Sequence, residues 1–326
     1  MECYIVARPT LAIVGTGTAA KFHAQAANVA GFELCHIAAR PNSTTTSEFS
    51  SRFKVPTIWE DPLELIRNSD KWDAIVLASS TSSLLELVEA ARLTEKPVLV
   101  EKPITHYSED LKHIVSNTPN VIVGYNRRFY APIQAAKLFI DAGEPCVIQL
   151  QIPETVPFDR GIGGRDYSRV WTNSVHAFDL INYLAGVEGI VGGQFVDAST
   201  SGTGGVLLLR TLRGHSCSIL ANWNAPTNFC LTIDRGDERF ELKPIESGVL
   251  YKGLEVIEPT SESPIRRYVP KVLKQYGQDE KSQIYKPGFV AELEALCDMT
   301  YGKRSSIAAT IADAVKALEI AESLIG

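Results

Sequence analysis

The stretch Leu11-Ala-Ile-Val-Gly-Thr-Gly-Thr-Ala-Ala20 reads as a buried parallel strand running straight into a glycine turn and then a helix. Gly15, Gly17 and Ala20 stand at the Gly-x-Gly-x-x-Gly/Ala spacing of a dinucleotide fingerprint. Gly15 allows the tight turn, Gly17 lets the backbone approach a pyrophosphate, and a small Ala20 lets the helix pack on the strand. The free N–H groups of Thr16, Thr18 and Ala19 and the positive end of the helix would then face the phosphates. The apolar run before the turn and the helix formers of 21–29 after it supply the required strand–turn–helix context.

Outward from that stretch, strands and helices alternate. Residues 32–39 read as a second strand, 47–53 as a helix, 55–59 as a short strand and 62–67 as a helical turn. The apolar run 74–78 is followed by a serine-rich turn and a helix over 84–94, then by a strand at 98–100 that ends in Glu101-Lys102-Pro103. A helix at 108–116 and a strand at 121–124 complete the first domain, residues 1–125. This order predicts βαβ units and a parallel sheet, with functional groups at the carboxyl ends of the strands. Thr16, Arg40, Ser79, Ser80, Thr81, Glu101 and Lys102 all fall at such ends.

From residue 126 to 326 the pattern changes. A helix at 131–142 precedes six strand-like segments, 146–152, 192–197, 205–210, 216–222, 229–234 and 238–243, with no helix between the last five. That succession predicts an α+β second domain with an open, mainly antiparallel sheet. A helix at 173–184 stops at Ala185-Gly186. Residues 253–284 are polar, rich in charge and proline, and read as a long excursion across the surface or onto a partner subunit, and helices at 288–301 and 307–325 close the chain.

The bulk properties fit two domains: 326 residues, 45% of them hydrophobic. A net charge of -6, with arginines and lysines in isolated pairs, argues against a nucleic-acid or anionic-membrane surface. Six scattered cysteines form no short pairs, so neither a disulfide framework nor a metal site is expected. No apolar run has membrane-span length and the first ten residues lack the pattern of a signal peptide, which makes the expected compartment the cytoplasm.

The end of the second strand bears on cofactor choice. It carries Arg40 and, in the loop after it, Ser43, with no acidic residue to bond a ribose 2′-hydroxyl. A guanidinium and hydroxyls suit a 2′-phosphate, so NADP(H) is favoured over NAD(H).

Four further segments carry a resemblance. Lys96-Pro-Val-Leu-Val-Glu-Lys-Pro103, Val123-Gly-Tyr-Asn-Arg-Arg-Phe129, His176-Ala-Phe-Asp179 and Gly288-Phe-Val-Ala-Glu-Leu, together with the glycine turn and His23, resemble the glucose-fructose oxidoreductase and inositol dehydrogenase family, Gfo/Idh/MocA. The resemblance implies a Rossmann half, an open-sheet half, and nicotinamide-dependent redox chemistry on sugars, cyclitols and related hydroxyl compounds. Two departures stand out. Thr172 occupies the place where the inositol branch often has an Asp, and Ser79 to Ser83 replace a Pro and His that often follow the third long strand.

For proton transfer, Lys102 at a strand end and His176, which titrates nearest neutrality, are the candidate catalytic pair. Asn173 and Asp179 lie three residues either side of His176, one face of an α-helix. With Tyr125, Arg127, Arg165 and Tyr167 they are the candidate substrate contacts; Arg165 and Tyr167 lie in a glycine-rich loop suited to an anionic group. His23 reads as packing. The reading is therefore an NAD(P)-dependent oxidoreductase acting on a sugar, sugar nucleotide or cyclitol, paired through its open sheet into a homo-dimer or homo-tetramer. The rival readings are a non-catalytic cofactor or sugar sensor on the same fold, and a hydrolase or lyase using tightly held NAD as a redox relay.

Overall fold

The computed structural model describes residues 7–41, 43–156, 158–159, 164–165, 169–196 and 204–325. The chain divides into two units, Met1–Phe129 with Glu280–Glu319, and Tyr130–Asp279 with Ile320–Gly326. Among the described residues, no helix is long and apolar enough to cross a membrane.

The first unit alternates β1 (Thr10–Val14), α1 (Thr18–Ala27), β2 (Glu33–Ala38), α2 (Thr46–Phe53), β3 (Thr57–Trp59), α3 (Pro62–Arg67), β4 (Ala74–Leu77), α4 (Thr81–Arg92), β5 (Val98–Val100), α5 (Glu109–Lys112) and β6 (Val121–Val123). Its sheet is parallel throughout, in the order β3-β2-β1-β4-β5-β6. The apolar runs are continuous because every residue of β4, β5 and β6 is buried. The helix expected over 108–116 is a single turn, α5, followed by a 3-10 turn at Val115–Asn117.

The second unit contains α6 (Ala131–Asp141), β7 (Val147–Ile152), β8 (Phe158–Asp159), β9 (Gly164–Arg165), a π-helical turn at Val170–Ser174, α7 (Val175–Ala185), and seven strands: β10 (Val187–Val196), β11 (Gly204–Thr211), β12 (Ser216–Asn222), β13 (Cys230–Arg235), β14 (Glu238–Leu242), β15 (Gly248–Ile257) and β16 (Arg267–Tyr276). Its eight-stranded sheet runs β10-β11-β12-β7-β13-β14-β15-β16, and every pairing is antiparallel except β12 with β7. Strand β7 alternates, with Ile148, Leu150 and Ile152 buried and Val147 and Gln149 exposed, so the sheet has one covered face. Both α6 and α7 pack on it.

Residues 253–284, expected to be a long excursion, hold the second half of β15 and all of β16, paired as an antiparallel hairpin. Apart from Tyr276, every residue of β16 is exposed, so no side of it answers to a core and its polar composition hides the strand.

The last helices are α8 (Glu280–Ile284), α9 (Phe289–Thr300) and α10 (Ile311–Ile325). The sequence reading ran the second domain unbroken from 126 to 326, whereas Glu280–Glu319 returns to the first unit. There Phe289, Val290, Leu293 and Leu296 of α9 share one buried cluster with Leu11, Ile13, Ala20 and Phe32.

Candidate functional site

The glycine turn is shaped by close contacts. Gly15 has φ +112, and a Cβ there would lie 2.1 Å from the carbonyl oxygen of Ala78. Its N–H donates to Ala38 O at 2.7 Å, and Ala78 N donates to Val14 O at 2.7 Å, so the ends of β1, β2 and β4 are tied together at this residue. Gly17 differs. It precedes α1 with φ -74, and a Cβ on it would meet nothing within 4 Å. Among the described residues no side chain caps α1 at Gly17 or α4 at Ser80, so two sets of orphan helix N–H groups border this region.

A cleft of about 580 Å³ opens there, lined by Gly15, Thr16, Gly17, Thr18, Ala19, Arg40, Ser43, Ser79 and Ser80, with Lys21, Ala39, Thr45 and Ala78. It lies at the carboxyl ends of β1, β2 and β4, where strand order reverses, the position at which doubly wound sheets take ligands. Nine of the sequence-derived cofactor residues thus meet in one cleft. Thr81, Glu101 and Lys102 lie outside its lining. An open cradle at Gly17 beside uncapped helix ends fits a dinucleotide pyrophosphate.

Arg40 is exposed, and it also lines a second cavity of about 530 Å³ with Trp59, Glu60, Asp61 and Glu64. The loop that carries Ser43 is braced by hydroxyl contacts, Ser43 Oγ to Thr45 Oγ1 at 3.2 Å and Thr45 Oγ1 to Thr16 Oγ1 at 2.6 Å.

Lys102 is half-buried at the end of β5. Burial holds its ammonium below the ordinary lysine range; Glu101 opposes that shift, Arg127 adds to it, and Glu292 of α9 opposes it again. Glu101 is buried, its Oε1 2.8 Å from Nε2 of His23, and its Oε2 accepts from the Lys102 N–H at 3.3 Å. Tyr125 is also buried, at 2% exposure, and Arg127 is half-buried.

In the second unit, α7 is almost entirely buried: His176 is 6% exposed and Asp179 has no exposed surface. The spacing that would stack Asn173 over His176 on an α-helix runs through the π-helical turn, whose longer hydrogen-bonded ring alters the faces. Asn173 instead donates to Glu154 Oε2 at 2.7 Å, and Ser174 donates to the same oxygen at 3.1 Å. Arg165 lies in β9 with its side chain outside the described residues, and Tyr167 is wholly outside them.

Glu154 was missed by the sequence reading. It is buried just past β7, and the Thr155 N–H also donates to its Oε1 at 3.1 Å. A lone Pro-Glu after an apolar strand gives little warning that three donors converge on it. Replacing Glu154 by alanine leaves those donors unsatisfied and is expected to lower stability by about 2–3 kcal/mol, with Glu154→Gln costing less because its carbonyl still accepts. Urea unfolding measures both.

The parallel sheet and its open phosphate cradle define a dinucleotide-binding Rossmann unit. Residues 10–120, about a third of the chain, match the Gfo/Idh/MocA family model described as "Oxidoreductase family, NAD-binding Rossmann fold". It is 26% identical over 190 residues to the myo-inositol 2-dehydrogenase of Thermotoga maritima, a match covering 55% of each chain. The chain spans about half the length of the curated relatives it matches. Two solved structures share its fold over nearly their full length. They are the Lactobacillus casei myo-inositol dehydrogenase in complex with NAD(H) and myo-inositol (TM-score 0.72, 16% identity, 98% of this chain and 94% of that one), and the UDP-N-acetylglucosamine 3-dehydrogenase of Acidithiobacillus ferrooxidans (TM-score 0.72, 17% identity, 98% and 97%).

Proposed function

We propose that this protein is a nicotinamide-dependent oxidoreductase that moves a hydride between the cofactor and a hydroxyl-bearing carbon of a sugar, sugar nucleotide or cyclitol. The observation that carries the reading is the open cradle of Gly17 and the uncapped starts of α1 and α4, with a partly buried, acidified Lys102 at the end of a neighbouring strand. The inositol and sugar-nucleotide dehydrogenase names among its relatives support the substrate class. When bound, the nicotinamide supplies the hydride acceptor or donor.

The chain's own residues supply the rest. Backbone N–H groups of Thr16 to Ala19 hold the pyrophosphate, and the hydroxyls of Ser79, Ser80 and Thr81 bond the cofactor ribose. Lys102 Nζ takes or gives the hydroxyl proton, with His176 as acid–base partner. Tyr125, Arg127, Arg165, Tyr167 and Asn173 bind substrate hydroxyls or an anionic group, and Asp179 positions the imidazole. The protein acts in the cytoplasm.

NADP(H) is the preferred cofactor in this reading, because Arg40 offers an exposed guanidinium to a 2′-phosphate. Glu60, Asp61 and Glu64, which share a cavity with Arg40, favour the second reading, NAD(H). Titration with NADPH and NADH in parallel, followed by energy transfer from tryptophan, decides between them. Arg40→Ala is expected to weaken NADPH about 5-fold and leave NADH nearly unchanged, an exposed ion pair being worth up to about 1 kcal/mol. Tighter NADH binding with no Arg40 effect assigns the acidic wall as the selector. Absence of binding by either, with none co-purifying, sinks the oxidoreductase reading; binding without turnover on a panel of sugars and cyclitols leaves the sensor.

The uncovered sheet face supports a homo-oligomer. Val147, Val206 and Leu208 are exposed on it, and Val206 is paired with the half-buried Leu220. A second copy seated on that face buries this apolar surface. Sedimentation of the wild type and of Leu208→Lys reports it, with a shift towards monomer expected in the variant.

A further inference from the structure

We propose that His23 is a positioning residue for Lys102, acting through Glu101, which it holds as a fixed carboxylate beside the lysine. The inference rests on the role given above to Lys102.

His23 has no exposed surface, and its ring lies 4.7 Å from that of Phe289 in α9. Packing alone does not call for an imidazole here. An aliphatic or phenyl side chain would fill the space without the cost of burying a polar ring next to a buried carboxylate. What the imidazole adds is one strong contact, Nε2 to Glu101 Oε1 at 2.8 Å. Its Nδ1 has no hydrogen-bond partner among the described residues, so a proton there would be buried without an acceptor. That favours the neutral ring with Nε2 as donor, and Glu101 as the ionised acceptor.

The rest of the surroundings fix Glu101 as well. Its backbone N–H donates to Leu77 O at 2.8 Å, and the Gly124 N–H donates to Val100 O at 2.8 Å, so β4, β5 and β6 are locked together at this point. A Cβ on Gly124 would come within 3.2 Å of the Glu101 carboxylate, and the bare glycine leaves the group its room. One carboxylate oxygen is held by His23 and the other by the Lys102 N–H. The charged groups facing Lys102 are Glu101 at the end of β5, Arg127 after β6 and Glu292 on α9. Of these, Glu101 is the one His23 controls. Without the imidazole the carboxylate is no longer held in place beside the lysine, its negative charge supports the ammonium less, and Lys102 releases its proton at lower pH.

The test reads Lys102 directly, without turnover. The rate at which its amine is acylated is followed against pH by mass spectrometry in the wild type, His23→Phe, Glu101→Gln and the double variant. The expected result is a midpoint about one pH unit lower in His23→Phe, at least as low in Glu101→Gln, and no lower still in the double variant, since both act on one charge. His23→Gln, which keeps a donor, is expected to restore part of the shift. If His23→Phe does not fold, His23→Asn, too short to reach Glu101, is read in its place. An unchanged midpoint in the His23 variants while Glu101→Gln moves it, or shifts that add in the double variant, overturns the proposal. Full activity of Lys102→Ala instead overturns the catalytic role of the lysine and leaves the acylation result standing.

Discussion

Lys102→Ala is expected to lower kcat by about 10²–10⁴-fold, the range by which a placed acid–base group accelerates proton transfer. The affinity for nicotinamide dinucleotide should change little, because Lys102 lies outside the lining of the glycine-turn cleft. The pH dependence carries a sign. Burial holds the lysine's proton less firmly than usual, while Glu101 and Glu292 work against that. Oxidation of a hydroxyl needs the neutral amine, so kcat/KM in that direction should rise with pH through a midpoint below the ordinary lysine range, and this limb should vanish in Lys102→Ala. Reduction of the carbonyl uses the ammonium and falls through the same midpoint. Stability follows a linked course. The unfolded lysine binds its proton more tightly than the folded one, so stability rises with pH from the folded midpoint up to the unfolded one. Initial-rate profiles in both directions check the chemistry; a wild-type profile with no such limb would remove Lys102 from proton transfer.

Gly15→Ala is expected to cost about 4 kcal/mol, combining a left-handed φ that alanine resists with a Cβ driven 2.1 Å from the Ala78 carbonyl oxygen. Because Gly15 ties three strand ends together, the loss should appear as a lower urea midpoint even with no cofactor present. Gly17→Ala provides the contrast. Its φ suits alanine and its Cβ would meet no atom within 4 Å, so stability should hold. The added methyl instead projects from the bare backbone of the cradle and should weaken dinucleotide binding. Equal loss of stability in both variants would mean that Gly17 is a structural turn residue and not an opening for a ligand.

The first unit was legible because its signals are local. Continuous apolar runs such as Ala74–Leu77 need no partner to be read as buried strands, and Gly15 and Gly17 announce a turn by residue type alone. The hairpin of β15 and β16 was illegible for the opposite reason: with nearly all of β16 exposed, its strand character lies in backbone pairing and not in side-chain pattern. At the site, residue identities at strand ends could be read, and nine of them meet in one cleft. Their buried supports could not. Glu154 and the pairing of His23 with Glu101 depend on contacts between segments up to 78 residues apart, which no spacing rule encodes. The π-helical turn before α7 likewise leaves no mark in composition, yet it turns Asn173 towards Glu154.

The return of Glu280–Glu319 to the first unit sets an order on biosynthesis. As the chain leaves the ribosome, β1 to β6 are available early, but the cluster of Leu11, Ala20 and Phe32 stays uncovered until Phe289, Leu293 and Leu296 have been made. The whole of residues 130–279 must be synthesised in the interval. The first unit therefore begins to emerge before the second yet is completed only after residues 130–279 have been made, and for that period its exposed apolar surface is open to a chaperone.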